Sequence, residues 1–200
     1  MNKKQVYVHI GLPRTGTTFL QKNVFPNLNL NFCKRRVLQT LTYADDEKIL
    51  ISDESISVLD NRFDVLHVIK HIFGDAVGII YCHREYDSYM NSVYRQYIKK
   101  GGTLQEHEYF KQNLSNNVYN ITEFNLYKES INKLFDKTFI YDFSIFQKDA
   151  ERIVQGLCAF MDVDVPSSID YKIVNKSVDK DKVHIRRMFN KIIKLKNKVV

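Results

Sequence analysis

Apolar residues along this chain fall into short dense runs that alternate with longer stretches of helical spacing. Val6–Ile10 is a β-branched and aromatic run that stops at Gly11, which predicts a strand. Thr17 to Val24 predicts a helix that ends before Pro26. "NLNLNFC", Asn27 to Cys33, predicts a second strand, and Ile49–Ser52 a third, running into polar residues. Phe63, Leu66, Ile69 and Phe73 share one helical face, and Gly74 closes it. "AVGIIYCHRE" is apolar until it meets charge, the mark of a strand buried on both faces. Helices are predicted over Tyr86–Lys100, stopped by Gly101 and Gly102, and over Glu106–Asn113 and Phe124–Phe135. A strand over Thr138–Tyr141 and helices over Lys148–Met161 and Asp181–Lys196 complete the series. Residues 34–47 carry little signal, and the polar stretch Gln112–Thr122 reads as an exposed loop.

Strands that alternate with helices predict an α/β fold: a three-layer α/β/α sandwich around a central, mainly parallel sheet. The 200 residues, 44% of them hydrophobic, fit one domain whose core needs no disulfide or metal. The cysteines Cys33, Cys82 and Cys158 are odd in number and match no zinc spacing, so they read as reduced, buried thiols of a cytoplasmic protein. No run approaches the ~18–20 apolar residues of a membrane span, and the N-terminus reads as the approach to a strand and not as a signal peptide.

Charge changes the picture only at one end. Residues 176–200 hold nine Lys/Arg against two Asp/Glu, 9 − 2 = +7, while residues 1–175 hold 21 of each sign. The whole net charge of +7 therefore belongs to a C-terminal segment, which weakens any inference from basicity to nucleic-acid binding. No nucleic-acid partner is expected. The helix at about 181–196 sets Ile185, Met188, Phe189, Ile192 and Ile193 on one side. Packing on its own core is the usual fate of such a helix; peripheral contact with an anionic lipid surface is the other reading.

The chemistry begins at "GLPRTGTT". A glycine-bounded turn between a strand and a helix gathers backbone N–H groups, and the helix dipole adds positive potential. Gly11 and Gly16 let the backbone approach an oxyanion, Thr17 and Thr18 offer hydroxyl donors, and Arg14 offers a planar cationic fork. In the nucleoside-triphosphate loop G-x-x-x-x-G-K-[ST], lysine follows the last glycine and the next hydroxyl takes magnesium. Here Thr17 holds the lysine position and the cation sits inside the loop at Arg14. The loop suits an anion that needs no metal bridge, and no metal is expected.

"HIGLPRTGTTFLQ" resembles the 5′-phosphosulfate loop of sulfotransferases that use 3′-phosphoadenosine 5′-phosphosulfate (PAPS), a family with the P-loop nucleoside-triphosphatase-like fold. Many of its members carry lysine where this chain has Arg14, and the protein-tyrosine sulfotransferases carry arginine. The resemblance implies that Gly11, Pro13, Arg14, Thr15, Gly16, Thr17 and Thr18 hold the 5′-phosphate and the sulfuryl group. A second stretch, "IIYCHREYDSYMNSVYRQYIKKGGT", matches the family block in which an arginine after a core strand and a serine eight residues later bind the 3′-phosphate; here these are Arg84 and Ser92. "SVYRQYIKKGG" is further similar to bacterial sulfotransferase-domain proteins that act on glycans or uncharacterised acceptors. "YKIVNKSVDKDKVHIRR" resembles the late segment that covers the nucleotide in that group, which implies roles for Asn175, Ser177 and one of Arg186 or Arg187. "FIYDFSIFQKDAERIVQGLCAFMDVD" matches the next block and reads as structural.

The resemblance implies transfer of a sulfuryl group from PAPS to a hydroxyl or amine of a glycan or small-molecule acceptor, with adenosine 3′,5′-bisphosphate (PAP) as product. Arg14 then stabilises charge on the leaving oxygen. A general base is needed for the acceptor proton; His9, Asp53, Glu54 and His83 are candidates, and Glu54 is the choice that the resemblance favours. Asp53 also suits a capping role. Two alternatives stay open: a magnesium- and ATP-dependent kinase-like phosphotransferase, and a non-catalytic basic binding module.

Overall fold

The computed structural model describes residues 5–34, 48–113, 120–171 and 178–196. Of these, the residues within Met1–Arg84 and Asn125–Val174 form one compact unit, and those within Glu85–Phe124 and Asn175–Val200 form a second.

The first unit is built on five strands: β1 (Gln5–His9), β2 (Asn31–Lys34), β3 (Lys48–Ser52), β4 (Gly78–His83) and β5 (Lys137–Asp142). All pairings are parallel, in the order β2-β3-β1-β4-β5. His9 pairs with Ser52 on one side and Ile80 on the other, so the C-terminal ends of the three central strands open along one edge. The chain leaves β1 towards β2 and leaves β4 towards β5, on opposite sides of the sheet. The space above β1 and β4 is therefore the topological switch point, where sheets of this kind bind ligands.

Strand alternation explains why helices cover both faces. Tyr7, Leu50, Ile80, Cys82 and Tyr141 join a core with helix α7 (Ala150–Met161), which contributes Ile153, Val154, Leu157, Cys158 and Met161. From the opposite face, Tyr81 meets the ring of Tyr127, which also meets Phe63. Phe63 belongs to α2 (Arg62–Phe73) and Tyr127 to α5 (Ile121–Leu134). The guanidinium of Arg62, 1% exposed, lies 4.9 Å from the Phe63 ring centroid and 5.6 Å from that of Tyr127. The expected α/β fold with a central parallel sheet between helices is thus present, and the three cysteines are buried and form no disulfide.

Three elements differ from their sequence patterns. The helix after the first loop is three α-helical residues, α1 (Thr17–Phe19), and then a π-helical turn, Leu20–Val24. Pro26 does not stop it sharply, because a 3-10 turn, Phe25–Asn27, accepts proline near its start. The second strand begins at Asn31 and not at Asn27. Between β5 and α7 lies a separate short helix, α6 (Phe143–Lys148), ended at Asp149, whose side chain accepts from the Arg152 N–H to start α7.

The second unit holds α3 (Tyr86–Lys99), α4 (Glu106–Asn113) and α8 (Val183–Lys196). Tyr97 and Tyr109 stack at 4.4 Å between ring centroids, and Tyr94 joins them. The Tyr97 hydroxyl accepts from the N–H groups of Thr103 and Leu104, which fixes the turn through Gly101 and Gly102. The polar stretch 112–122 overlaps the end of α4 and the start of α5, and its centre, 114–119, lies outside the described residues.

Candidate active site

Gly11, Arg14 and Gly16 all have positive φ, at 23°, 70° and 80°. Only glycine adopts such values without strain, so Arg14 holds its backbone at a cost of ~1–2 kcal/mol. A methyl group on Gly16 would stand 2.3 Å from Cε1 of Phe146, so this glycine is required by contact as well as by torsion. No side chain caps α1. The amides of Thr17 and Thr18 stand at the helix start, the place where a helix presents donors to an anion.

The loop is tied down from several directions. Thr15 Oγ1 donates to the carbonyl of Leu12. Ser57 Oγ lies 2.6 Å from the Ile10 carbonyl and 2.5 Å from that of Gly11. Under Gly11 sits His9, fully buried, whose Nδ1 is 2.7 Å from Ser52 Oγ; Gln21 Nε2 donates to the same Ser52 oxygen at 2.9 Å. Burial pushes the His9 imidazole down to about 3, so it is neutral at ordinary pH. It is a packed residue beneath the loop, as its place inside β1 implies. Burial likewise raises the Cys82 thiol to about 12, which makes it inert as a nucleophile.

Asp53 and Glu54 follow β3, beside β1. Asp53 accepts from the N–H of Ser55 at 3.0 Å and from its hydroxyl at 2.5 Å, and so shapes its own turn. Glu54 reaches the start of α1, where its Oε2 accepts from the Thr17 hydroxyl. Thr15 and Thr17 thus both point their hydroxyls at protein acceptors, whereas the sequence suggested Thr17 as a donor to an anion.

Arg84 directly follows β4 and is 9% exposed. Its Nη1 donates to the Arg14 carbonyl at 2.6 Å, and its guanidinium carbon lies 4.5 Å from the centre of the Phe143 ring. Arg84, the Gly11–Thr18 loop and Glu54 thus meet on one edge of the sheet. Ser92 and Arg186 belong to the second unit: Ser92 is buried within α3, and Arg186 is exposed on α8. Asn175 and Ser177 lie outside the described residues.

Sequence reasoning missed Phe143 and Phe146, which bring the end of β5 against Arg84 and Gly16, and Ser57, which holds the loop carbonyls. The signal was present in "DFSIF", two rings three residues apart directly after a strand that parallels β4.

No family model matches the chain, and no curated protein matches it in sequence. Solved structures match it in fold. A sulfotransferase from Alicyclobacillus acidocaldarius superposes with a TM-score of 0.62 at 11% identity, over 95% of this chain and 93% of that one. Mouse sulfotransferase SULT7A1, complexed with PAP, superposes with a TM-score of 0.57 at 14% identity over 95% of this chain, which spans 64% of the mouse chain. Five parallel strands, a glycine-bounded loop after the first and these two superpositions lead to one conclusion: this chain has the α/β fold of the sulfotransferases.

Proposed function

We propose that this protein is a PAPS-dependent sulfotransferase whose acceptor is a glycan hydroxyl. The observation that carries the reading is the 2.6 Å bond from Arg84 to the Arg14 carbonyl. It joins the two stretches whose sequences resemble the 5′- and 3′-phosphate binding blocks, at the switch point of the sheet. The donor set fits the nucleotide. The loop offers backbone amides at a helix start and the Arg14 cation, and Arg84 brings a guanidinium that lies over the Phe143 ring and keeps donors beyond the one given to the Arg14 carbonyl.

PAPS supplies an activated sulfuryl group. The acceptor oxygen forms a bond to sulfur as the bond from sulfur to the 5′-phosphate oxygen breaks, and PAP leaves with that oxygen. Arg14 and the loop amides stabilise the charge that builds there. Glu54, beside Thr17 at the head of α1, takes the acceptor proton. The choice of a glycan rests on the similarity of "SVYRQYIKKGG" to bacterial sulfotransferase-domain proteins that act on glycans or uncharacterised acceptors.

Transfer of labelled sulfate from PAPS to candidate glycans tests the reading, with Glu54→Gln as control. Label is expected in a glycan fraction with the native chain and not with the variant. Labelled glycan at equal rates in both removes Glu54 from the mechanism. Magnesium-dependent ATP turnover, with no sulfate transfer, replaces the reading with a kinase-like one.

A further inference from the structure

The last helix faces the wrong way for a helix packed on its own core. Ile185, Met188, Phe189, Ile192 and Ile193 recur at i, i+3, i+4, i+7 and i+8, a single apolar stripe on α8. In a helix packed by that stripe these residues are buried. Here all five are exposed: Ile185 is 61% and Phe189 59% exposed, and Leu195, at the edge of the stripe, is 65% exposed. The buried side is polar. Asn190, 5% exposed, donates from Nδ2 to the carbonyls of Ile98 and Gly102, both at 2.8 Å, and so pins α8 to the end of α3.

The stripe is flanked by cations. The helix carries five Lys/Arg and no Asp or Glu. Arg186 and Lys191 fall on opposite margins of the stripe, and both are exposed. Long cationic stems at the margins of an apolar face are the arrangement that lies in a lipid interface, with ring and aliphatic groups in the acyl boundary and charges at the headgroups. A second copy of this chain fits poorly, since face-to-face packing brings the marginal cations Arg186 and Lys191 of both copies to one seam with no carboxylate on the helix to pair them. No helix among the described residues is long and apolar enough to cross a membrane.

We propose that the outward face of α8 docks this protein on an anionic phospholipid surface. The inference stands apart from the proposed reaction. Its test is co-sedimentation of the full chain with vesicles of phosphatidylglycerol and phosphatidylcholine, and with vesicles of phosphatidylcholine alone, at low and high salt. Binding is expected to the anionic vesicles, about tenfold weaker or less in 0.5 M salt. Phe189→Ser with Ile192→Ser removes the apolar anchor, and Lys191→Glu reverses a marginal charge. Each is expected to lower the partition coefficient by about tenfold while PAP affinity and the circular dichroism spectrum stay unchanged. Equal binding to both vesicle types overturns the anionic preference. No vesicle binding, whether or not sedimentation velocity shows a dimer that Phe189→Ser with Ile192→Ser dissolves, overturns the proposal outright.

Discussion

Nη1 of Arg84 donates to the main-chain carbonyl of Arg14 at 2.6 Å. These residues are seventy apart in sequence, yet one directly follows the fourth strand and the other shapes the loop after the first. The bond does two things. It locks a strained loop residue, since Arg14 sits at a φ of 70°, and it ties the loop after β1 to the residue that follows β4. On the proposed reading, these two residues serve the two phosphate ends of one nucleotide.

Arg14→Gly separates charge from backbone. Glycine adopts positive φ freely, so the strain of ~1–2 kcal/mol is relieved, offset in part by the entropy of the unfolded chain. Thermal unfolding is expected within a few degrees of the native chain, while PAP affinity falls by about tenfold or more. A large loss of stability contradicts the strain argument.

Gly16→Ala is expected to be far worse than its size suggests. It imposes left-handed strain on alanine and drives a methyl group into Phe146, at 2.3 Å from Cε1. Urea denaturation should show a loss of ~2–4 kcal/mol, the sum of torsional and overpacking terms. Gly16→Ala with Phe146→Leu, which removes the obstructing ring, should recover part of that loss. No recovery means that the torsion alone decides.

His9 makes stability depend on pH. Its folded-state pKa, about 3, lies below the ordinary 6.5 because burial disfavours the cation. Between those values the unfolded chain binds a proton that the folded chain refuses. The stability that His9 permits is complete above pH 6.5 and falls as pH drops towards 3, by up to ~1.4 kcal/mol per pH unit. His9→Gln should flatten the slope of unfolding free energy between pH 6.5 and 5. Equal slopes in both chains contradict the assignment.

Glu54→Gln keeps an oxygen for the Thr17 hydroxyl and removes the base. The turnover number for sulfate transfer should fall by ~10²–10⁴ with little change in PAPS binding. A raised KM with unchanged kcat assigns Glu54 to positioning the loop instead.

Much of this was legible in the sequence, and the reason is local. Glycine-bounded turns, buried strand runs and helical spacing each declare themselves within a few residues, so β1, its loop, β4 with Arg84, and α7 were all readable. The adjacency of β3 to β1 brings Glu54 to Thr17. What the sequence hid depends on distant partners. The π-helical turn at Leu20–Val24 has no pattern of its own. Phe143 and Phe146 read as core until Arg84 and Gly16 stand against them. The apolar stripe of α8 predicts burial, and only the bonds of Asn190 to Ile98 and Gly102 reveal that it turns outward.

Calorimetric titration with PAP and with ADP tests the central claim most directly. If the Arg14 loop and Arg84 grip the two phosphate ends of one adenosine, PAP binds at least about tenfold tighter than ADP, ~1.4 kcal/mol or more. Arg84→Ala then removes that preference and leaves ADP affinity nearly unchanged. Equal affinity of the native chain for PAP and ADP contradicts the account.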